Sequence, residues 1–371
     1  MFIYDYKCID LASQNGNIDV LEWFDKSDYK FEYTSNAIDL ASQKGHINVL
    51  EWFDKSKYEF KYTYASINFA SENGYIAILD WFDKSVHNFK YSTVAIQLAC
   101  KNGHVNILEW FHNSEYSIEY PPIELDWNLY TYDDDYVNPK TYFFTGIDFA
   151  VENNHLHILE WFKNNNYDLI YYDAIDIASE KGYIDILEWF KNSDYEIIYT
   201  NKAIDLASKN GYVNVLEWYK NSGYTLIYTK DAIDLAAKYG HLDILKWFDE
   251  SQYEFKYTAA AIDYAAQFGY IHILKWFDQS DYEFKYTMDV VDIVAEKGYV
   301  DILGWCENSR YEFDFSNAIY FASRKNQILV LEWFKYSRYN HLLNHINFLH
   351  YDDITIEWYM QSGYTIDINI L

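Results

Sequence analysis

One interval governs this sequence. Tryptophan recurs as Trp23, Trp52, Trp81, Trp110, Trp161, Trp189, Trp218, Trp247, Trp276, Trp305 and Trp333, at steps of 29 residues, twice 28, with one jump of 51 after Trp110. A fixed period of about 20–50 residues marks a repeat array, in which each unit buries its apolar face against its neighbours. Trp358 closes a degenerate twelfth unit, and Trp127 falls out of register. A globular chain of 371 residues would divide into about two or three domains. A solenoid escapes that limit because its core grows along one axis.

The unit at 34–62 reads TSNAIDLASQKGHINVLEWFDKSKYEFKY. Thr34 is placed to cap a short helix, its hydroxyl accepting from the free N–H groups of the first turn. The helical period buries Ala37, Ile38 and Ala41 and puts Asp39, Ser42 and Gln43 on the opposite face. Gly45 ends the helix. Asn154 and Asn326 stand where other units have glycine, and asparagine is the other residue that tolerates a left-handed backbone. A second helix follows, with Val49, Leu50, Trp52 and Phe53 as an apolar stripe and Glu51 turned to water, as are Glu109, Glu160 and Glu217. Tyr58, Phe60 and Tyr62 then alternate with polar residues, which predicts an extended connector. His46, His104, His155 and His241 share a slot with Tyr75, Tyr183 and Tyr270, which reads as packing or hydrogen bonding across the turn.

Two short helices per unit, joined by a Gly-His turn, resemble an ankyrin repeat. IDLASQKGHINVLEWF follows that family's LHxAAxxGHxxVVxxLL pattern position by position, with a 29-residue unit in place of the usual ~33. The missing residues come from the hairpin finger, and a Trp-Phe pair replaces two leucines. This shortened, aromatic variety most resembles ankyrin-repeat proteins of giant viruses of amoebae. The resemblance implies an all-α solenoid of about twelve helix-turn-helix units with extended connectors. It also implies a protein-interaction role inside a cell, in host cytoplasm or in a virion if the source is viral.

The predicted organisation is repeats 1–4 over 1–118, an acidic, proline-containing insertion over 119–142, repeats 5–11 over 143–337, and a degenerate capping repeat over 338–371. All three prolines lie in the insertion, with Trp127, Asp133, Asp134 and Asp135. The acids lack the D-x-D-x-D-G spacing and closing glutamate of a calcium loop. His341 and His345 sit four apart, but no acid completes an H-E-x-x-H set. Cys8, Cys100 and Cys306 each replace an ordinary repeat residue, with no C-x-x-C spacing, and are expected to be structural thiols in a reducing compartment. The opening MFIYDYKCIDLAS is already repeat sequence, so no signal peptide and an uncapped first unit are expected. No run approaches the ~18 apolar residues of a membrane span.

The formal charge is −28, from 57 acids and 29 bases. That balance disfavours nucleic acid and favours a basic protein partner. No nucleophile-base set, phosphate loop or metal spacing emerges, so no enzyme, cofactor or metal is expected. Partner contact is assigned to the first-helix face, which is expected to expose Asp10, Asp39, Asp148, Asp205, Asp234, Asp263 and Asp292. The aspartate ladder also reads as hydrogen bonding between repeats, with Asn68 and Gln97 replacing it in two units. The charge-varying slot, Gln43, Glu72, Lys101, Glu152, Glu180, Lys209 and Lys238, is the stronger candidate, together with Trp127 and Asp133, Asp134 and Asp135. The rival expectation is a structural subunit assembling end to end, by self-association through the uncapped N-terminal repeat.

Overall fold

A computed structural model describes residues 6–116, 118, 123–124, 143–287, 289–344 and 353–364. The chain divides into two compact units, Met1–Tyr199 and Thr200–Leu371. The first holds α1 (Lys7–Gln14), α2 (Ile18–Lys26), α3 (Asn36–Gln43), α4 (Ile47–Lys55), α5 (Ala65–Glu72) and α6 (Ile76–Lys84). It continues with α7 (Val94–Lys101), α8 (Val105–Asn113), α9 (Gly146–Glu152), α10 (Leu156–Asn164), α11 (Ala174–Lys181) and α12 (Ile184–Lys191). The second unit holds α13 (Asn201–Lys209), α14 (Val213–Ser222), α15 (Asp231–Lys238), α16 (Leu242–Glu250), α17 (Ala259–Gln267) and α18 (Ile271–Gln279). Then come α19 (Val290–Lys297), α20 (Val300–Asn308), α21 (Ala318–Arg324), α22 (Ile328–Tyr336), a 3₁₀ turn at Asn340–Asn344, and α23 (Asp353–Gln361). Each repeat from α1 to α22 is a helix pair, and the architecture within each unit is an all-α repeat solenoid.

Small residues set the stacking. Ala37, Ile38, Ala41 and Ser42 are fully buried on α3, and the same positions are buried in α5 and α13. Within each unit, first helices lie side by side with the first helices of adjacent repeats far more closely than second helices do. Alanine and serine permit that approach. The second helices bury Val49, Leu50 and Phe53, or their counterparts, without exposure above 1 % in α4.

The tryptophans are not uniformly core. Trp161, Trp218, Trp247 and Trp358 are buried, Trp23 is 54 % exposed, and the other in-register members are half-buried. They form an aromatic layer. Trp52 stacks on Phe31 of the preceding connector at 5.5 Å and on its own Tyr58 at 6.2 Å, while Phe31 and Tyr58 stack at 4.0 Å. The pattern returns at Phe89, Trp110 and Tyr116 and at Phe255, Trp276 and Tyr282. Trp110 Nε1 donates to Asp80 of the preceding repeat at 2.7 Å and Trp358 Nε1 to Glu332 at 2.9 Å. Trp247 Nε1 donates to Glu217. Glu217 is therefore a partner of the ring, contrary to the expectation of a purely solvated face.

The turn between helices follows the sequence reading. Gly45 and Gly211 have φ of +75° and +77°, and Asn154 and Asn326 have φ of 59° and 55°. The His/Tyr slot covers these glycines from the next repeat. A Cβ on Gly211 would lie 2.6 Å from His241 Nδ1, and one on Gly240 would lie 2.9 Å from the Tyr270 ring. The second helix stops at a serine: Ser56 Oγ donates to the Phe53 carbonyl at 2.8 Å and accepts from Tyr58 N at 3.2 Å. Connectors are extended without strand pairing among the described residues, apart from the two-residue pair Ile123–Glu124 with Phe143–Phe144 at the base of the insertion. Their tyrosines tie repeats together: Tyr58 Oη donates to Asp25 at 2.9 Å, Tyr116 Oη to Asp83 at 3.1 Å and Tyr282 Oη to Asp249 at 3.0 Å.

In the last repeat, α23 docks through Thr355, whose hydroxyl donates to Ser323 O at 3.1 Å, and through buried Tyr359, whose hydroxyl lies 3.1 Å from Ser323 Oγ. His341 lies in the 3₁₀ turn; His345 and His350 lie outside the described residues.

Candidate interaction surface

The aspartate ladder is interior. Asp10, Asp39, Asp148, Asp205 and Asp234 are at most 6 % exposed, which corrects the expectation that they face a partner and bears out the reading of hydrogen bonds between repeats; Asp263 and Asp292 are half-buried. The physical reason is that a first helix is covered by its own second helix and by first helices of adjacent repeats, so the face opposite Ile38 is not water.

Asp10, Asp39, Asp205 and Asp234 each reach forward to the threonine that starts the next first helix. Thr34 donates from N to Asp10 Oδ1 at 3.0 Å and from Oγ1 to Oδ2 at 2.6 Å. Thr63 does the same to Asp39 at 3.0 and 2.9 Å, Thr229 to Asp205 at 2.9 and 2.8 Å, and Thr258 to Asp234 at 2.9 and 2.6 Å. The threonine Oγ1 then accepts from a backbone N–H two residues on, as Asn36 N to Thr34 at 3.2 Å and Ala65 N to Thr63 at 3.1 Å. The predicted cap at Thr34 is thus made, and the aspartate of the preceding repeat holds it in place. Where Asn68 replaces aspartate, its Nδ2 donates to Ser92 Oγ at 2.7 Å and its Oδ1 accepts from Ser92 N at 3.2 Å. Gln97 is 2 % exposed, and its Nε2 has no partner among the described residues.

Asp148 differs. It closes a capping box with its own Thr145 and also accepts from Tyr172 N and Asp173 N at 3.2 Å. Burial pushes its carboxyl up to about 6, against the opposing pull of the Thr145, Tyr172 and Asp173 hydrogen bonds. Asp292 also rises to about 6, mainly by burial and with Asp289 and Asp314 nearby.

The charge-varying slot is partly exposed. Gln43, Glu72, Lys101, Glu152, Glu180, Lys209 and Lys238 are all half-exposed, each at or next to the last residue of its first helix. Lys101 Nζ lies 5.8 Å from the Phe149 ring centre, Lys209 Nζ 5.6 Å from Tyr239, and Lys238 Nζ 4.9 Å from Tyr264. These cations suit a helix C-terminus, whose carbonyls carry partial negative charge. Glu72 and Glu152 occupy the same station against that field, and their carboxylates have no partner among the described residues. The slot is one residue per repeat, so it forms a rank and not a convergent pocket. Trp127, Asp133, Asp134 and Asp135 lie outside the described residues.

Cys100 and Cys306 are buried, all three thiols are unpaired, and burial raises the Cys306 thiol to about 12. No group of three metal-ligating side chains occurs among the described residues, and no described helix is long and apolar enough to cross a membrane. Sequence reasoning missed a second surface, the groove between successive second helices. One such groove, of about 400 Å³, is lined by Ile47, Asp54, Ala77, Asp80, Trp81 and Lys84. Another, of about 420 Å³, is lined by Val300, Glu307, Leu329, Glu332, Trp333 and Tyr336. Comparison with known proteins finds no match to any family model and none to a curated protein.

Proposed function

We propose that this chain is a non-catalytic, ankyrin-like interaction scaffold that holds a basic protein partner along the ends of its first helices. One observation carries the reading: the aspartates, threonines, tyrosines and histidines that repeat with the period are used in joining repeat to repeat, while the carboxylates of Glu72 and Glu152, in the slot that breaks the charge pattern, have no partner among the described residues. Carboxylates at helix C-termini cost about 0.3–1 kcal/mol each against the macrodipole. A cationic partner over Glu72 and Glu152 offsets that cost. The 119–142 insertion, with Trp127 and its three acids, belongs to the same proposal.

The test begins with a pull-down from the producing organism. Binding of the recovered partner is then measured after Glu72→Lys, Glu152→Lys and Glu180→Lys together, and separately after deletion of 121–139. Association is expected to slow with salt and to weaken in both variants. Parental binding by both folded variants would sink the proposal.

A second reading has its own observation. The described part of the first repeat leaves Leu11 53 % and Trp23 54 % exposed, where the equivalent Leu40 and Trp52 are half-buried by a preceding unit. These exposed apolar residues support contact with a second copy in a structural assembly. Concentration-dependent chains in sedimentation velocity, abolished by Trp23→Glu, are its expected signature.

A further inference from the structure

The two grooves above are the same site in different repeats. Their linings correspond residue by residue: Ile47 with Val300, Asp54 with Glu307, Ala77 with Leu329, Asp80 with Glu332, Trp81 with Trp333 and Lys84 with Tyr336. Volume and acid positions are alike. The difference is that two outward stations have become large and apolar. The second residue of the second helix is Asp, Asn, His or Ala in α2 through α20, and the ninth position is Lys, Asn, Glu or Gln. In α22 they are Leu329, 74 % exposed, and Tyr336, 80 % exposed. One repeat on, α23 carries Ile354 and Met360, each 61 % exposed, where the earlier second helices have polar residues or alanine. Isolated exposed apolar residues need no explanation, whereas a clustered set at stations otherwise polar or small does.

We infer that the groove between α20 and α22 is a docking site for an amphipathic helix with an apolar stripe and lysine or arginine flanks. The shape fits. The groove runs from the first to the ninth station of a helix, about 12 Å, which is some two turns and matches anchors at i, i+3 or i+4 and i+7. The charge fits too. Glu307 and Glu332 stand on its walls; Glu307 accepts from Arg338 N at 3.1 Å and lies 3.7 Å from its Nε, and Glu332 accepts only from the neutral indole N–H of Trp358 among the described residues. Tyr336 presents a ring that already attracts a cation, with Lys335 Nζ 5.6 Å from its centre. An acidic ligand would meet the two carboxylates unfavourably. The site lies on second helices and not on first-helix ends, so its test is independent of the one above.

The test uses the full chain and a fluorescein-labelled synthetic helix with leucines at i, i+4 and i+7 and lysines elsewhere. The decisive variant is Leu329→Asn with Tyr336→Asn. It leaves the net charge unchanged and reproduces α8, which carries Asn106 and Asn113 at those stations, so folding is retained. The expected result is saturable anisotropy binding whose Kd rises at least tenfold in the variant, with far weaker binding of the same peptide carrying glutamates for lysines. Equal binding by parent and variant overturns the inference. So does equal binding of the glutamate peptide. If sedimentation shows the parent chain dimerising and the variant monomeric, the face belongs to a second copy and the inference is likewise wrong.

Discussion

Asp39 offers the sharpest test of how the repeats are joined. Its carboxylate accepts from Thr63 N at 3.0 Å, from Thr63 Oγ1 at 2.9 Å and from the buried Ser66 hydroxyl, at 3 % exposure. Hydrogen bonds to a charged group contribute about 1.5–3 kcal/mol each, so simple addition for three gives about 5–9 kcal/mol. Thr63 is half-exposed and rehydrates when its acceptor is lost, and the three bonds share one carboxylate. The expected cost of Asp39→Ala is therefore about 3–5 kcal/mol. Asp39→Asn should cost much less, about 1–2 kcal/mol, because an amide still accepts from the backbone N–H and can donate to the hydroxyl. The chain contains that alternative at Asn68, whose amide makes both contacts with Ser92.

The assay has to be local as well as global, since a long repeat array need not unfold in one step. Urea melts followed by circular dichroism give the overall loss. Hydrogen exchange of peptides spanning α3 and α5 shows where it falls, with the α5 amides of Asp39→Ala exchanging first. A loss below about 1 kcal/mol for alanine would refute the reasoning. Equal losses for alanine and asparagine would show that packing, not the hydrogen-bonded cap, joins these repeats.

Gly211→Val should destabilise strongly, because φ is +77° and the new Cβ would press on His241, whereas Asn154→Gly should change stability by less than about 0.5 kcal/mol; comparable melts for the two would contradict the left-handed cap. Phe190→Ala, at a fully buried site, should cost about 3–5 kcal/mol, and Trp189→Ala less, because its half-buried ring loses a stack on Tyr195 without leaving a closed cavity; the reverse order in denaturant melts would place the tryptophan in the core. Asp148 has its folded pKa raised from 3.8 to about 6, so the folded state holds the proton more tightly and that contribution is lost as pH rises through 6. The stability of the parent relative to Asp148→Asn should therefore fall between about pH 4 and 6.5 and level off above 7; a difference flat across that range would show no shift.

Period, helix pairing and turn geometry were legible because each depends on residues close in sequence. The Gly45 and Asn154 sites announce left-handed backbone by the residue types they accept. Of the two readings of Asp39, hydrogen bonding between repeats holds and exposure to a partner does not, for a reason specific to arrays. A helical wheel separates an apolar face from a polar one, but it does not count how many neighbours cover the helix. Here adjacent repeats bury the polar face too, and Asp39 is polar because it must serve Thr63 there. The same blindness overstated Trp23, which has the pattern of Trp161 but is 54 % exposed where Trp161 is 8 %. A usable signal was overlooked: Tyr58 and Asp25, Tyr116 and Asp83, and Tyr282 and Asp249 all stand 33 residues apart and all bond.

These contacts share a rule that bears on function. In this array, the aspartates, threonines and connector tyrosines that recur with the period mostly bond the neighbouring repeat. Binding specificity then has to come from positions where the period is broken. Glu72 and Glu152 break it in charge, at helix ends where a carboxylate is disfavoured. Leu329 and Tyr336 break it in polarity, on a groove that keeps its acids and its volume while changing its lining from alanine and lysine to leucine and tyrosine. Glu72 and Glu152 have no carboxylate partner among the described residues, and Leu329 and Tyr336 stand 74 % and 80 % exposed. These are the positions that the proposed partners would contact. The polarity reversal at α22 therefore points outward, and exchanging both residues for the asparagines of α8 should leave the fold intact while removing the contact.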